Sequence, residues 1–196
     1  MSGGEVVVVP TGTANLASIR AAFRRLGADL RISLEPAAIA DAGHVVLPGV
    51  GAFAAAIAGL RASGADRALV ERIAADRPTL AVCVGHQLLF ASSDESPGVP
   101  GLGVVEAHVG RFAGAVRVPQ FGWNEVAGEG RFLRSGYAYF ANSFRATAAP
   151  GWNVATAEHG GAFVAAMERG NVLTCQFHPE LSGAYGRDLL EAWLGC

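Results

Sequence analysis

One stretch constrains this chain more than any other: Thr79-Leu-Ala-Val-Cys-Val-Gly-His-Gln-Leu-Leu-Phe90. Four mostly apolar residues run into Cys83, Gly85 follows, and an apolar helical run begins at once. That pattern reads as a buried strand, a very tight turn and a helix starting beneath the turn. A cysteine at such a corner projects beyond the end of a sheet, above the first amides of the helix. Those amides and the helix dipole favour the thiolate, the reactive form of the side chain. Gly85 allows the backbone to lie close against whatever binds there. A cysteine in a βα unit is more often a small, inert core residue, so the rest of the chain must decide.

The surrounding pattern alternates strands with helices. Glu5 to Val9 is a valine run closed by Pro10, and Leu16, Ile19, Phe23 and Leu26 recur at helical spacing before Gly27. Short strands follow near Asp29–Ser33 and at His44–Leu47, then helices at Ala52–Leu60 and Asp66–Ala75. Such alternation predicts a parallel, doubly wound sheet. After Phe90 the texture changes to a turn-rich surface loop, 92–101, and short strand-like pieces at 104–107, 115–119, 123–126, 137–141 and 154–157. A hairpin turning at Arg169-Gly170 and a helix over Gly183–Leu194 close the chain. The expected architecture is one α/β domain over 1–196, with a mostly parallel central sheet flanked by helices and a mixed or antiparallel extension.

Composition excludes several classes. With 51% apolar and 16% charged residues the 196-residue chain folds without disulfides or metal, and a net charge of −2 gives no footprint for nucleic acid. Arg20, Arg24 and Arg25 read as the wet face of a helix. The three cysteines, Cys83, Cys175 and Cys196, form no C-x-x-C pair. No signal-like segment or membrane-length apolar run is present, so a cytoplasmic location with reduced thiols is expected. The five histidines share no metal-ligand spacing, and no cofactor motif occurs; neither metal nor cofactor is expected. Cys175 reads as a core residue and Cys196 as an exposed, idle thiol.

Two further elements supply chemistry. Asn171-Val-Leu-Thr-Cys-Gln-Phe-His-Pro-Glu180 is a strand ending in a histidine, with a carboxylate two residues on. In an extended segment residues i and i+2 share a side, so Glu180 can reach His178 and fix its tautomer. Paired with Cys83 at the end of another strand, this gives a Cys-His-Glu set at the carboxyl edge of a sheet, where open α/β folds hold their active sites. Pro48-Gly-Val-Gly-Ala-Phe53 follows a strand and leaves backbone amides able to receive an oxyanion.

Pro48-Gly-Val-Gly51, Cys83-Val-Gly-His-Gln87 and His178-Pro-Glu180 resemble, in order and spacing, the three signatures of class I glutamine amidotransferase domains. More narrowly, Gly12, Asn15-Leu16, Leu47 to Phe53, Gly122-Trp-Asn-Glu-Val126, Tyr139-Phe140 and Gln176 to Glu180 resemble the glutaminase subunits of imidazole glycerol phosphate synthases, in histidine biosynthesis. The resemblance implies that Cys83 attacks the glutamine side-chain amide, that Gly49, Val50, Gly51 and the Val84 amide hold the oxyanion, and that His178, oriented by Glu180, moves the protons. It also implies substrate contacts at Gly51, Gln87, Asn142, Ser143 and Phe144. The implied partner is a TIM-barrel cyclase that receives the ammonia in a heterodimer.

The chain departs from that pattern at Pro10, Thr11, Ala14, Gln120, Asn142, Phe144 and Leu181. Several of these positions are expected in segments that face the synthase, as if this interface had been re-paired with its own cyclase. Three other readings compete. They are a glutaminase serving another synthase (anthranilate, aminodeoxychorismate or pyridoxal phosphate), a cysteine hydrolase of the same fold acting on other amides, and a non-catalytic scaffold.

Overall fold

The computed structural model describes residues 5–11, 16–49 and 51–196. The chain begins with β1 (Val6–Val8), α1 (Leu16–Arg25), β2 (Leu30–Ile32), α2 (Pro36–Asp41) and β3 (His44–Leu47). It continues with α3 (Phe53–Ser63), α4 (Ala65–Ala74), β4 (Thr79–Val82) and α5 (Val84–Leu88). Strands then dominate: β5 (Phe90–Ser93), β6 (Val105–Arg111), β7 (Gln120–Val126), β8 (Gly136–Asn142), β9 (Phe144–Ala146), β10 (Asn153–Glu158), β11 (Ala162–Arg169) and β12 (Val172–Cys175). A 3-10 turn, Pro179–Leu181, leads into α6 (Gly183–Leu194).

The central sheet has the order β10-β11-β12-β4-β3-β1-β2. From β12 to β2 every pairing is parallel, whereas β10 and β11 add an antiparallel edge. Strands β1, β4 and β12 are buried along their whole length, as apolar strands covered by helices on both faces must be. The helices fit by pattern: α1 buries Ile19, Ala22 and Phe23, leaves its arginines in water, and stops at Gly27, whose φ is +75°. Phe23 meets Trp193 of α6 edge to face at 6.3 Å. Two smaller sheets, β5-β6-β9 and β7-β8, form the mixed extension beside this core.

What positions the site is the register of β4 and β12, which pairs Val82 with Cys175. The two strands therefore end side by side, and the Cys83 amide donates to the Cys175 carbonyl at 2.7 Å. Cys83 and the segment carrying His178 leave the sheet at one edge.

The sequence pattern carries no sign of α2, a six-residue helix whose end is held from outside. The buried Arg72 of α4 donates to the carbonyls of Ile39 (3.0 Å), Ala42 (2.7 Å), Gly43 (2.8 Å) and Pro78 (2.9 Å), and to Thr79 Oγ1 (3.2 Å). Burial, then the charge of Arg77, pulls its pKa down to about 10, which leaves it cationic at neutral pH. Arg72→Met would strand several buried acceptors and should destabilise the fold by about 3 kcal/mol. A loss below about 1 kcal/mol in urea denaturation would show that the carbonyls find other donors.

Three expectations about elements change. Residues 115–119 form bends, not a strand, because Pro119 offers no N–H to a ladder; the Val118–Pro119 peptide is cis. The helix after Cys83 is only five residues long, since Phe90 leaves it to pair with Val105. Cys196 is half-buried, with its sulfur 4.0 Å from His44 Nε2, instead of idle in solvent. Cys175 is fully buried as expected.

Candidate active site

The Cys83 backbone sits at φ +55°, ψ −111°, a sparsely populated region that a non-glycine residue holds only when its surroundings enforce it. The surroundings here are backbone. A Cβ on Gly85 would collide with the Leu47 carbonyl oxygen, and one on Gly49 would collide with the Gly85 amide. Gly85 thus serves a close approach of the elbow to the end of β3, not of a ligand to the elbow. Gly85→Ala should force the two loops apart at a cost of about 3 kcal/mol. A variant with an unchanged denaturation midpoint and unchanged activity would contradict this packing.

His178 is built into place by its own backbone. Its N–H donates to the Tyr139 carbonyl at 2.9 Å, and its carbonyl accepts from Ser182 Oγ at 2.6 Å. Ser182 Oγ in turn accepts from the Tyr139 amide at 2.9 Å. Residue 178 is extended, but Pro179–Leu181 then forms a 3-10 turn, so Glu180 reaches the imidazole around a turn and not along a strand. Proline at the first position of that turn, with φ fixed near −65°, favours it. Glu180 Oε1 lies 2.9 Å from His178 Nδ1, with both side chains more than nine-tenths buried. Burial alone would pull the imidazolium pKa down. Hydrogen bonds to Cys83 and Glu180, and the charges of both groups, outweigh it and raise the His178 pKa to about 10. With Nδ1 committed to Glu180, Nε2 is the nitrogen left for the sulfur. A cationic imidazole beside Cys83 is the arrangement of a thiolate–imidazolium pair.

Cys83 and His178 open into a cavity of about 250 Å³ that also brings together Gly51, Val84, Gln87 and the segment Asn142-Ser143-Phe144. Its size suits a single amino acid better than the roughly 300–1,000 Å³ sites of larger ligands. Glu180 stands behind His178, outside this lining. Gly49 supports the elbow from beneath, and Val50 lies outside the described residues, as do Gly12, Ala14 and Asn15. The Val84 amide, expected as an oxyanion donor, instead donates to the Gly49 carbonyl at 3.3 Å. In this conformation that N–H is occupied.

The positions that depart from the family pattern divide between interior and surface. Thr11 is buried and its hydroxyl donates to the Pro48 carbonyl at 2.7 Å; Gln120 and Asn142 are also buried, paired across β7 and β8. Leu181 is 42% exposed. Two lining residues, Ala141 and Glu95, are not expected at the site from sequence. Glu95, in the loop read only as surface, joins the cavity lining, and burial raises its pKa against the lowering effect of a hydrogen bond from the Phe53 amide. An acid beside Asp94 in a run of serines, prolines and glycines reads as a solvated turn and gives no pattern to single it out. His86, by contrast, is a core residue: burial drops its pKa to about 3, and Nδ1 meets Thr174 Oγ1 at 2.6 Å.

A cysteine on a strand-to-helix elbow, a histidine and an acid come together at the carboxyl edge of a parallel sheet, the edge where open α/β folds place their sites. The glutamine amidotransferase class-I family model matches residues 7–194, and the chain belongs to that family, alongside the HisH subunits of imidazole glycerol phosphate synthase. The chain is 39% identical over 195 residues to the imidazole glycerol phosphate synthase subunit HisH of Symbiobacterium thermophilum, covering 96% of this chain and 92% of that one. It is also 39% identical over 203 residues to the chloroplastic imidazole glycerol phosphate synthase hisHF of Arabidopsis thaliana, where it spans 98% of itself but only 34% of the longer protein. Among solved structures, a crystal structure of glutamine amidotransferase superposes with a TM-score of 0.77 at 24% identity, over 97% of this chain and 99% of that one, a likeness of fold.

Proposed function

We propose that this chain hydrolyses glutamine at Cys83 and passes the ammonia to a cyclase subunit that builds imidazole glycerol phosphate. The Cys83 thiolate adds to the side-chain carbonyl carbon of glutamine. His178 gives its Nε2 proton to the departing nitrogen, so ammonia leaves and a thioester remains. The neutral imidazole then takes a proton from water, the hydroxide adds to the thioester, and the proton returns to the sulfur or the pair as glutamate departs. Glu180 holds the imidazole through Nδ1 in both steps. Gly51, with Val50, and the Val84 amide would receive the oxyanion; for Val84 this requires the loop at Gly49 to turn and release the N–H it now accepts.

Glu95 gives the cavity its selectivity. A carboxyl in the lining that also holds Cys83 would suit the α-ammonium of a free amino acid and disfavour a peptide, in which that nitrogen is an amide. Gln87, Ser143 and Phe144 would hold the rest of the substrate. Asn142 adds a buried Oδ1 with no hydrogen-bond partner among the described residues, an acceptor open to a substrate N–H. The observation that carries the reading is the buried Cys83–His178–Glu180 set opening on an amino-acid-sized cavity.

The partner face is proposed on exposed aromatics. Phe121, Trp123 and Tyr137 of the β7-β8 ribbon are each more than half exposed, and Leu181, three residues from the histidine, lies with them on the surface. Phe121 and Trp123 both stack edge to face on Tyr139, whose carbonyl holds the His178 amide. An apolar patch of this kind beside an active site marks a docking surface, and ammonia must cross it without meeting bulk water. The free thiols of Cys83, Cys175 and Cys196 suit a reducing cytoplasm; no helix among the described residues is long and apolar enough to cross a membrane.

Glutamate release should be measured with the chain alone, with the cyclase, and with the cyclase and its nucleotide ligand. A rise that needs partner and ligand supports the reading. Activity indifferent to the cyclase points to another synthase or a free amidase, and silence throughout points to a scaffold. Trp123→Asp should weaken cyclase binding by about tenfold or more and remove the partner-dependent rise without touching activity of the isolated chain. Unchanged affinity would place the interface elsewhere.

A further inference from the structure

We infer that Gln176 is a further site residue, one whose side-chain amide is oriented by Gln87 so that its NH₂ group faces the Cys83 sulfur. The inference rests on the reading of Cys83 as the nucleophile, and it concerns how that sulfur is held.

The geometry follows from one group that cannot change role. The backbone carbonyl of Phe144 can only accept hydrogen bonds. It receives Asn142 Nδ2 at 2.9 Å and Gln87 Nε2 at 3.3 Å, which together occupy its two lone pairs. The end of Gln87 that faces Phe144 is therefore its NH₂ group. The second hydrogen of that NH₂ points at Gln176, 2.9 Å away, so the facing end of Gln176 is its carbonyl Oε1. The Gln176 NH₂ group is then turned the other way, where Nε2 lies 3.9 Å from Cys83 Sγ. Both glutamines are buried, so neither amide reorients by exchanging partners with water. The backbone of Gln176 is fixed as well, its N–H donating to the Ala165 carbonyl at 2.8 Å.

The result is a fixed order of donation: the Gln87 NH₂ group donates both to the Phe144 carbonyl and to Gln176 Oε1, and the Gln176 NH₂ group donates to the reactive sulfur. A neutral thiol gains little from an N–H at 3.9 Å. A thiolate gains more, because a hydrogen bond to a charged acceptor is about twice as strong as a neutral one. Gln176 thus acts differentially, favouring the charged form of Cys83 from outside the cavity lining, while His178 acts through its ring. Gln87 does two jobs: Nε2 sets the direction of the relay, and its Oε1 remains for the cavity. Were the pair reversed, an amide oxygen would face the sulfur and oppose its charge.

The test needs no glutamine turnover, so its outcome is separable from that of the glutaminase reading. Cys83 alkylation by iodoacetamide should be followed by mass spectrometry across pH 5–10 in the wild type and in Gln176→Met, Gln176→Glu and Gln87→Leu. Removing the N–H in Gln176→Met should slow alkylation at pH 7 by about fivefold and move the rate profile to higher pH. Gln176→Glu, which keeps the shape but presents oxygen to the sulfur, should slow it further. Gln87→Leu, which leaves the sulfur's neighbour intact but unoriented, should shift the profile in the same direction. Profiles that coincide with the wild type in folded variants overturn the inference. So does a failure of the isosteric Gln176→Glu to fold, which would make the residue a structural one.

Discussion

Cys83→Ala should abolish glutamate release, lowering kcat by about 10⁴-fold or more, the scale at which loss of a nucleophile leaves only binding and oxyanion stabilisation. No other thiol can substitute. Cys175 is fully buried under the same strand ends, and burial, reinforced by the charge of Glu180, pushes its thiol well above the ordinary range. Cys196 lies against His44, and the His44 ring stacks on Trp193, which places that thiol on the α6 side of the sheet. The variant should bind glutamine with an affinity close to that of the wild type, because the Glu95 end of the cavity is untouched. Alkylation with iodoacetamide under native conditions should label Cys83 and, more slowly, the half-buried Cys196 in the wild type, and only Cys196 in Cys83→Ala. Residual turnover within tenfold of the wild type would move the chemistry away from this elbow.

How much of this could be read from residues alone varies with the kind of contact. The elbow was legible because it is local: an apolar run, a cysteine and a glycine within seven positions dictate strand, turn and helix. The convergence of Cys83 with His178 was legible because two buried runs that both end in reactive residues belong at one sheet edge. Helix α6 and the hairpin at Gly170 likewise follow from period and turn chemistry. What escaped depends on contacts between distant segments. Helix α2 is secured by Arg72, about thirty residues away in sequence, and no propensity in Pro36–Asp41 announces that. Strand β9 exists because Phe144 to Ala146 pair with Val109 to Arg111. Glu95 lies in the connection between β5 and β6, and its place in the cavity lining depends on where that connection is carried in the fold. The Val84 amide looked free by its place at the start of a helix, yet a neighbouring loop carbonyl takes it up. Sequence pattern finds the groups that do chemistry; it does not find the partners those groups have already taken.

The second large effect is expected at Glu180. An amide in place of the carboxylate can turn its NH₂ toward Nδ1, which favours the tautomer carrying the proton on Nε2. In that form the ring cannot take a proton at Nε2, where it must work. In a serine-based triad the equivalent acid-to-amide change costs about 10⁴ in kcat, and Glu180→Gln should lose about 10³–10⁴. The pH dependence is the sharper readout. In the wild type the hydrogen bonds and charges of Cys83 and Glu180 overcome burial and hold His178 protonated up to about pH 10. Glu180→Gln removes one of those two partners and leaves the burial, so the alkaline limb of kcat/KM should move to lower pH. Stability should respond in the same window. With a folded pKa near 10 and an ordinary value of 6.5, the folded wild type holds a proton that the unfolded chain has released between those limits. The His178 contribution is therefore complete below pH 6.5 and is lost as pH rises toward 10, and Glu180→Gln should flatten that fall in thermal melts. A variant whose activity drops while both pH profiles stay where they were would reduce Glu180 to a positioning role and leave the imidazolium to Cys83 alone.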